Sequence, residues 1–517
     1  MSSTTYDEVP YESFPYPDTH PGQLAVIAKL FGLKTPNPKK FSYLEIGCAA
    51  GGNLFPLAMQ FPESEFVGID YAAVQVEEGL KTVNDLNLTN LQLLSKNILD
   101  IDKDFGSYDF IIAHGIYSWV PDDVREKLIQ ICQENLKPEG IAYLSYNTYP
   151  GWKNRETVRE MLLYQTASDV TLEERGRQAI DFLKMYDSSL SDTQSLYSQM
   201  LKREVQQALS VSPLIIMHDY LSDNNKPVYF HEFVKHMDVN GLTYVGDMPF
   251  QMMRKVGLSP EVVQKLTIDP NSFVEIEQYM DYSRNRYFRR SLVTHKNRNV
   301  QRLIKEDAVS TLHFGLTAEP SAGEQGSKDT MAFSLVNGAT TTADNPIAQS
   351  LLTELHNHWP KTISFERLLK TLKTKHKKKF PDVNFESFLI RSLLLIFSNG
   401  YVNAYPYDIQ VMNKVSDRPK ASELARYQAT NQAWVTNQRH EYIECDDFGL
   451  QLIQLLDGAK NKKDLCAELE KVVKSGLLVL DDSEKNSGPS EDQVKYLVRQ
   501  ALNRTLTTFL NKSLLIG

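Results

Sequence analysis

Two carboxylates and a cluster of glycines lie where a charged nucleoside ligand could be held. The stretch Lys40-Phe41-Ser42-Tyr43-Leu44-Glu45-Ile46-Gly47-Cys48-Ala49-Ala50-Gly51-Gly52-Asn53-Leu54 runs from a short β-prone segment through an acid into small residues, and then into the apolar helix LFPLAMQF. That order predicts strand, tight turn, helix. Glycine lets the backbone turn sharply and approach a ligand without a Cβ in the way. The helix start offers free N–H groups to an anion. A second run, Glu65-Phe66-Val67-Gly68-Ile69-Asp70-Tyr71, predicts another buried strand ending in an acid. Asp70 falls about 20 residues past the turn, where a Rossmann-like sheet sets a carboxylate on ribose hydroxyls. The spacing of Gly47, Gly51 and Gly52 is not the G-x-G-x-x-G of a dinucleotide site.

The elements that must position these groups follow in a regular alternation. VEEGLKTVNDL reads as a helix, LQLLSKNIL as a third strand and Tyr108–Ala113 as a fourth; the helix DDVREKLIQICQENL ends at Lys137-Pro138-Glu139-Gly140 before strand IAYLSYN. Strands and helices at this spacing predict an α/β fold with a parallel, doubly wound sheet, whose ligands bind at the C-terminal strand ends. Residues 153–210 are instead strongly helical, and the strand pattern returns at Leu242–Gly246 and Tyr287–Val293. Residues 155–225 therefore read as a helical insertion, whose apolar face needs cover either from a twofold interface or from its own sheet.

The turn resembles motif I of class I methyltransferases, acidic-x-G-x-G-x-G, with Ala49 in place of the middle glycine. That resemblance implies a Rossmann-like class I sheet and S-adenosyl-L-methionine as cofactor, with S-adenosyl-L-homocysteine as product. It sets Glu45, Gly47, Cys48, Ala49, Gly51 and Asn53 along the methionine end, and Asp70 with Tyr71 at the ribose. Asn97 and Ile98 then fall beside the adenine, where an acceptor is needed; the alternative for Asn97 is a turn-forming role. His114, after strand four, either faces the cofactor or caps its strand.

Larger features narrow the group. YDEVPYESFPYPDTHP, LEIGCAAGGN, AHGIYSWVP, YNTYPGW, VYFHEF and YMDYSRNRYFRRSL together resemble bacterial proteins with a methyltransferase regulatory domain, which include rickettsial protein-lysine methyltransferases acting on outer-membrane proteins. The resemblance spans residues 6 to about 292 and implies a protein substrate with exposed lysines. Such chemistry needs a lysine that has lost its proton, from a usual pKa near 10.4, in a desolvated, aromatic-lined pocket. Tyr117, Trp119, Asn147 and Tyr149 are the candidates nearest the reaction, with the Asn147 carbonyl able to orient an amine. Tyr6, Tyr11, Tyr16, Tyr146 and Trp152 are candidates for the pocket wall, the N-terminal tyrosines and Phe14 as a lid. Packing of the sheet edge is the competing role for each aromatic. Small-molecule O- or N-methylation and a non-catalytic, cofactor-binding regulatory role remain alternative readings.

Composition excludes several classes. With 517 residues the chain exceeds one hydrophobic core. A net charge of −9 argues against a nucleic-acid binder, the local run Lys373, Lys375, Lys377, Lys378 and Lys379 notwithstanding. Four dispersed cysteines (Cys48, Cys132, Cys445, Cys466) form no zinc motif, so no metal is expected. The absence of a signal-like start or a bilayer-length apolar run points to the cytoplasm. The expected division is 1–154 with 226–305 as the cofactor-binding domain and 155–225 as insertion. A middle, winged-helix-like domain over 306–410 and a helical domain over 411–517 complete the chain. Ser321–Ser327 reads as a break, and Asn337-Gly338 as a hairpin turn.

Overall fold

The computed structural model describes residues 8–167, 169–190, 195–254, 259, 261–262, 264, 273–321, 331–476 and 491–517. Two compact units are present: one from residues up to Ser13, Ile27–Leu54 and Pro62–Ile304, the other from Phe14–Val26, Phe55–Phe61 and Lys305–Gly517. Tyr6 and residues 322–327 of the expected break lie outside the described residues.

The first unit is built on a seven-stranded sheet. Its strands are β1 (Ser42–Ile46), β2 (Glu65–Asp70), β3 (Leu91–Ser95), β4 (Tyr108–Ala113), β5 (Leu136–Asn147), β6 (Leu242–Asp247) and β7 (Phe288–His295). Their order is β3-β2-β1-β4-β5-β7-β6. The strands β1 to β5 pair in parallel, and β7 runs antiparallel to both β5 and β6. Every residue of β1 is buried, which is why the parallel strands read as continuous apolar runs rather than alternating ones. Leu44, Ile46, Ile69, Ile111, Leu144 and Val293 share one core beneath the strand ends. The expected Rossmann-like sheet is therefore present, with the predicted last strands in the predicted places.

One local expectation is corrected. Lys137-Pro138-Glu139-Gly140 does not separate a helix from β5 but lies within it: Tyr108 pairs with Leu136 and Phe110 with Ile141. The extra residues on β5 loop out as a bulge, which sequence punctuation alone presents as a turn.

Between β5 and β6 come helices Gly151–Gln165, Leu172–Ser189 and Leu196–Leu209, then a short helical segment ending in a π-turn over Ile216–Tyr220. Val158, Leu162, Ala179, Leu183, Val205 and Ile216 form a core of their own. Much of the apolar face is thus satisfied among these helices themselves. Tyr164, Met185, Leu196 and Tyr197 remain more than half exposed.

In the second unit, Thr340–Ala343 pairs with Met331–Ser334 around Asn337-Gly338, the expected hairpin. Helix Pro346–His358, strand Ile363–Ser364, helices Phe365–His376 and Phe385–Ser398, and strand Val402–Tyr405 follow in winged-helix order, both strands pairing with His313–Leu316. Helices Glu423–Asn431, Asp447–Leu455, Lys462–Lys474 and Glu491–Asn511 share a further core around Leu452, Leu465 and Leu502. Among the described residues, no helix is long and apolar enough to cross a membrane.

Candidate functional site

The turn after β1 is pinned to β2. Gly47 and Cys48 N–H groups both donate to the Ile69 carbonyl, at 2.8 and 3.1 Å. Gly47 and Gly51 adopt φ of +76° and +85°, so the glycines are there for backbone conformation. A Cβ on Gly47 would also stand 2.2 Å from Ile116 Cδ1. Ala49 takes φ +47°, a left-handed geometry that costs an alanine about 1 kcal/mol. Its N–H donates to Asp70 Oδ2 at 2.8 Å, and Asp70 Oδ1 accepts from Ala72 N at 2.9 Å. Asp70 thus clamps the turn as well as ending β2.

Glu45 sits beneath the turn. Its Oε1 accepts from Asn53 Nδ2 at 2.9 Å, while Oε2 is buried without a hydrogen-bond partner. Burial pushes the carboxyl up to about 8; the Asn53 bond opposes the rise and the Asp70 charge adds to it. A buried acceptor left open beside a second carboxylate suits a cationic or hydroxyl-rich ligand. Burial likewise drives the Cys48 thiol well above its ordinary range, so it is a neutral side chain here.

Several N–H groups leading into the following helix are already taken. Gly51 N donates to Cys48 O, Leu54 N to Gly51 O, and Gly52 N to Ser13 Oγ at 2.7 Å. An N-terminal strap crosses here, with partners that the sequence reading did not name. Tyr11 O accepts from Gln75 Nε2 at 2.9 Å, the Tyr11 ring lies 5.3 Å from that of His218, and Val9 O pairs with His218 Nε2 at 2.9 Å. Nothing in the spacing of residues 8–13 signals those partners, which are distant in sequence. Phe14 and Tyr16 belong instead to the second unit, where Phe14 packs on Trp434 and Tyr442.

At the other strand ends the predicted residues divide. Asn97 Oδ1 accepts from Leu99 N at 3.0 Å, so it acts as the turn-forming cap, with half-buried Ile98 beside it. Tyr71 is half-buried directly after Asp70. His114 Nδ1 shares a 2.9 Å hydrogen bond with the Tyr143 hydroxyl. Burial, helped by the Arg290 charge, lowers its pKa to about 3, so the imidazole is neutral. Gly115 follows with φ +70°, its N–H on Ser145 Oγ at 2.7 Å, and open space where a Cβ would stand.

Tyr117 and Tyr146 are core side chains, only 2% and 1% exposed. The Tyr117 hydroxyl meets His236 Nδ1 at 2.8 Å, and Tyr146 stacks on Phe233 at 4.1 Å. Both therefore take the packing role rather than facing a pocket, because a strand end can turn its aromatic inward as readily as outward. Trp119 is half-buried and meets buried Trp152 edge-on at 5.8 Å. Asn147 Nδ2 donates to Asn225 Oδ1 at 2.9 Å, which leaves the Asn147 carbonyl as its acceptor. Tyr149 donates to Glu156 Oε1 at 2.6 Å. The structure thus gathers Glu45, Gly47, Cys48, Ala49, Gly51, Asn53 and Asp70 around one turn. Trp119, Asn147, Tyr149 and Trp152 follow the ends of β4 and β5. Among the described residues no cluster of acidic, histidine or cysteine side chains could hold a metal ion.

Comparison with known proteins agrees with this geometry. Residues 44–142 match the methyltransferase domain family, 212–295 the predicted methyltransferase regulatory domain, and 417–514 the PKMT C-terminal winged helix domain. The winged helix matched there is distinct from the winged-helix order seen over 346–405. An uncharacterized protein of Rickettsia prowazekii is 32% identical over 522 residues, covering 99% of this chain and 93% of its own. The structure of PKMT2 from Rickettsia typhi superposes with a TM-score of 0.87 at 28% identity, covering 98% of this chain and all of that one. The same Rickettsia typhi protein in complex with AdoHcy matches with a TM-score of 0.87 at 29% identity. The turn, the sheet order and the matched domains agree: the chain belongs to the PKMT family of class I methyltransferases.

Proposed function

We propose that this methyltransferase uses S-adenosyl-L-methionine to methylate lysine side chains of a protein substrate, a bacterial outer-membrane protein being the type of target. The observation that carries the cofactor reading is the open, buried Glu45 Oε2 beside Asp70 on a turn of left-handed glycines. The AdoHcy complex of the PKMT2 relative supports it. Glu45 and Asn53 would take the amino-acid end, Asp70 and Tyr71 the ribose, and Asn97 with Ile98 the adenine edge. Neutral His114 would line the wall without adding charge. The cofactor supplies an electrophilic methyl group when bound.

What remains for this chain is to desolvate and align an amine. The Asn147 carbonyl accepts an N–H of the incoming amine and points its lone pair. Trp119 supplies a face over which the reacting ammonium enters before losing its proton, and Tyr149, with Lys153 already over its ring, borders that route. Trp152 and Tyr11 border that approach, and Tyr117 and Tyr146 act through packing.

We further propose the domain division 1–154 with 226–305, 155–225, 306–410 and 411–517, and a cytoplasmic setting where the cofactor is made. Pairing of two copies through the insertion is proposed from its exposed Tyr164, Met185, Leu196 and Tyr197. Sedimentation of Leu196→Glu should then show a monomer. The function itself is tested by radiolabelled methyl transfer into lysate fractions, with amino-acid analysis of the product. Label in methylated lysine is expected. Label confined to small molecules defeats the protein-lysine reading, and no transfer at all favours a regulatory role.

A further inference from the structure

A group of surface tyrosines stands apart from the glycine turn. The ring centroids of Tyr149 and Tyr229 are 5.2 Å apart, and those of Tyr229 and Tyr282 are 6.0 Å apart. They come from three elements: the chain after β5, the start of helix Phe230–Val239, and the last turn of helix Phe273–Arg284. Tyr282 is 48% exposed and the adjoining Tyr279 49%, so these rings are held at the surface rather than buried.

An ammonium already lies among them. Lys153 Nζ is 5.6 Å from the Tyr149 centroid and 5.5 Å from that of Tyr229, within the reach of a cation–π contact. Glu156, which accepts the Tyr149 hydroxyl at 2.6 Å, adds negative charge behind the rings. The neighbouring Tyr229 side chain raises the Lys153 pKa. Lys153 is therefore held as a cation, which has no lone pair and cannot accept a methyl group. It is an occupant here, not a nucleophile. The ligand these tyrosines hold is a lysine, supplied by the enzyme's own helix.

We propose that Tyr149, Tyr229 and Tyr282 form a subsite for a second, non-reacting lysine of the polypeptide substrate, and that Lys153 fills it until that lysine displaces it. This rests on the protein-lysine reading above. It implies that the preferred substrate carries lysines in clusters. Bare and already methylated ammonium groups both satisfy ring faces, so either state of the second lysine fits.

The test is fluorescence anisotropy of a labelled hexalysine peptide on the full chain with S-adenosyl-L-homocysteine present, so that no turnover intervenes. Lys153→Gln should tighten binding about fivefold beyond Lys103→Gln, which makes the same charge change at an exposed site elsewhere. Tyr282→Leu should weaken binding about fivefold and Tyr282→Phe should leave it within twofold, because the ring rather than bulk is required. A trimethylated hexalysine should bind within twofold of the bare peptide. Equal effects of Lys153→Gln and Lys103→Gln, an unaltered Tyr282→Leu, or failure of the trimethylated peptide to bind would each overturn the subsite. The measurement involves no methyl transfer. A chain that binds as expected yet labels no lysine sinks the functional reading, while one that labels lysine but fails here sinks only the subsite.

Discussion

Two groups of buried acids in the first unit behave in opposite ways. Around β6 and β7, Asp247, Asp281 and Glu277 surround Arg286 and Arg289 in a network whose Arg289 contacts run from 2.5 to 3.1 Å. Ser291 Oγ adds a 2.7 Å bond to Asp247, and Arg289 also lies 3.9 Å from the Phe230 ring centroid. Around the glycine turn, Glu45 keeps one buried oxygen with no hydrogen-bond partner among the described residues. The first group is ion-paired scaffolding, three acids sharing two arginines, which fixes the backbone where Gly151 N meets Arg286 O and the helix of Lys153 begins. The second holds its buried acid without such a pair. Residue type does not separate a site from a scaffold, but the cations that a buried acid is paired with do.

Removing one member of the ion-paired group should have the largest effect. Arg289→Ala leaves the buried Asp247 and Asp281 to share Arg286 alone, and should lower unfolding free energy by about 3 kcal/mol in urea titration. A loss below ~1 kcal/mol would mean that the network is not holding the sheet edge. Asp70→Ala removes the clamp on Ala49 N and Ala72 N, and should weaken binding of S-adenosyl-L-homocysteine about 30-fold by calorimetry, or ~2 kcal/mol. Unchanged affinity would remove Asp70 from the ligand's surroundings.

The acid at the glycine turn makes a subtler prediction. A carboxyl raised to about 8 is mostly protonated at pH 7, and a ligand ammonium favours its ionised form. Binding should therefore release close to one proton at pH 7 and almost none at pH 9.5, where Glu45 is already ionised. Calorimetry in two buffers of different ionisation heat reads this directly, and Glu45→Gln should abolish the pH 7 release. The smallest expected effect is from Ala49→Gly. Relief of the left-handed alanine should raise stability by about 0.5–1 kcal/mol, seen as a higher urea midpoint.

These contrasts also mark what a linear reading can and cannot reach. β1, β2 and β4 are legible because their signal is local: a short apolar run closed by an acid or by small residues. Glu45, Asp70 and the glycines follow from the same stretch. Asn97 is ambiguous because a cap and an adenine contact read alike in sequence; its bond to Leu99 N shows the cap and leaves the second lone pair of that oxygen for a ligand. Tyr117 and Tyr146 look like pocket residues because an aromatic at a strand end carries no mark of the direction it faces. The network of Asp247, Asp281 and Arg289 is invisible in sequence, since its members meet only after β6, β7 and an intervening helix have packed.

The hydrogen bond from Gly52 to Ser13 has a practical corollary for anyone handling this protein. Ser13 is wired to the glycine turn, so a purification tag fused upstream of it lies close in sequence to the loop whose behaviour is being measured. A side-by-side titration of versions tagged at either end would reveal how strongly residues 8–13 govern entry to the glycine turn.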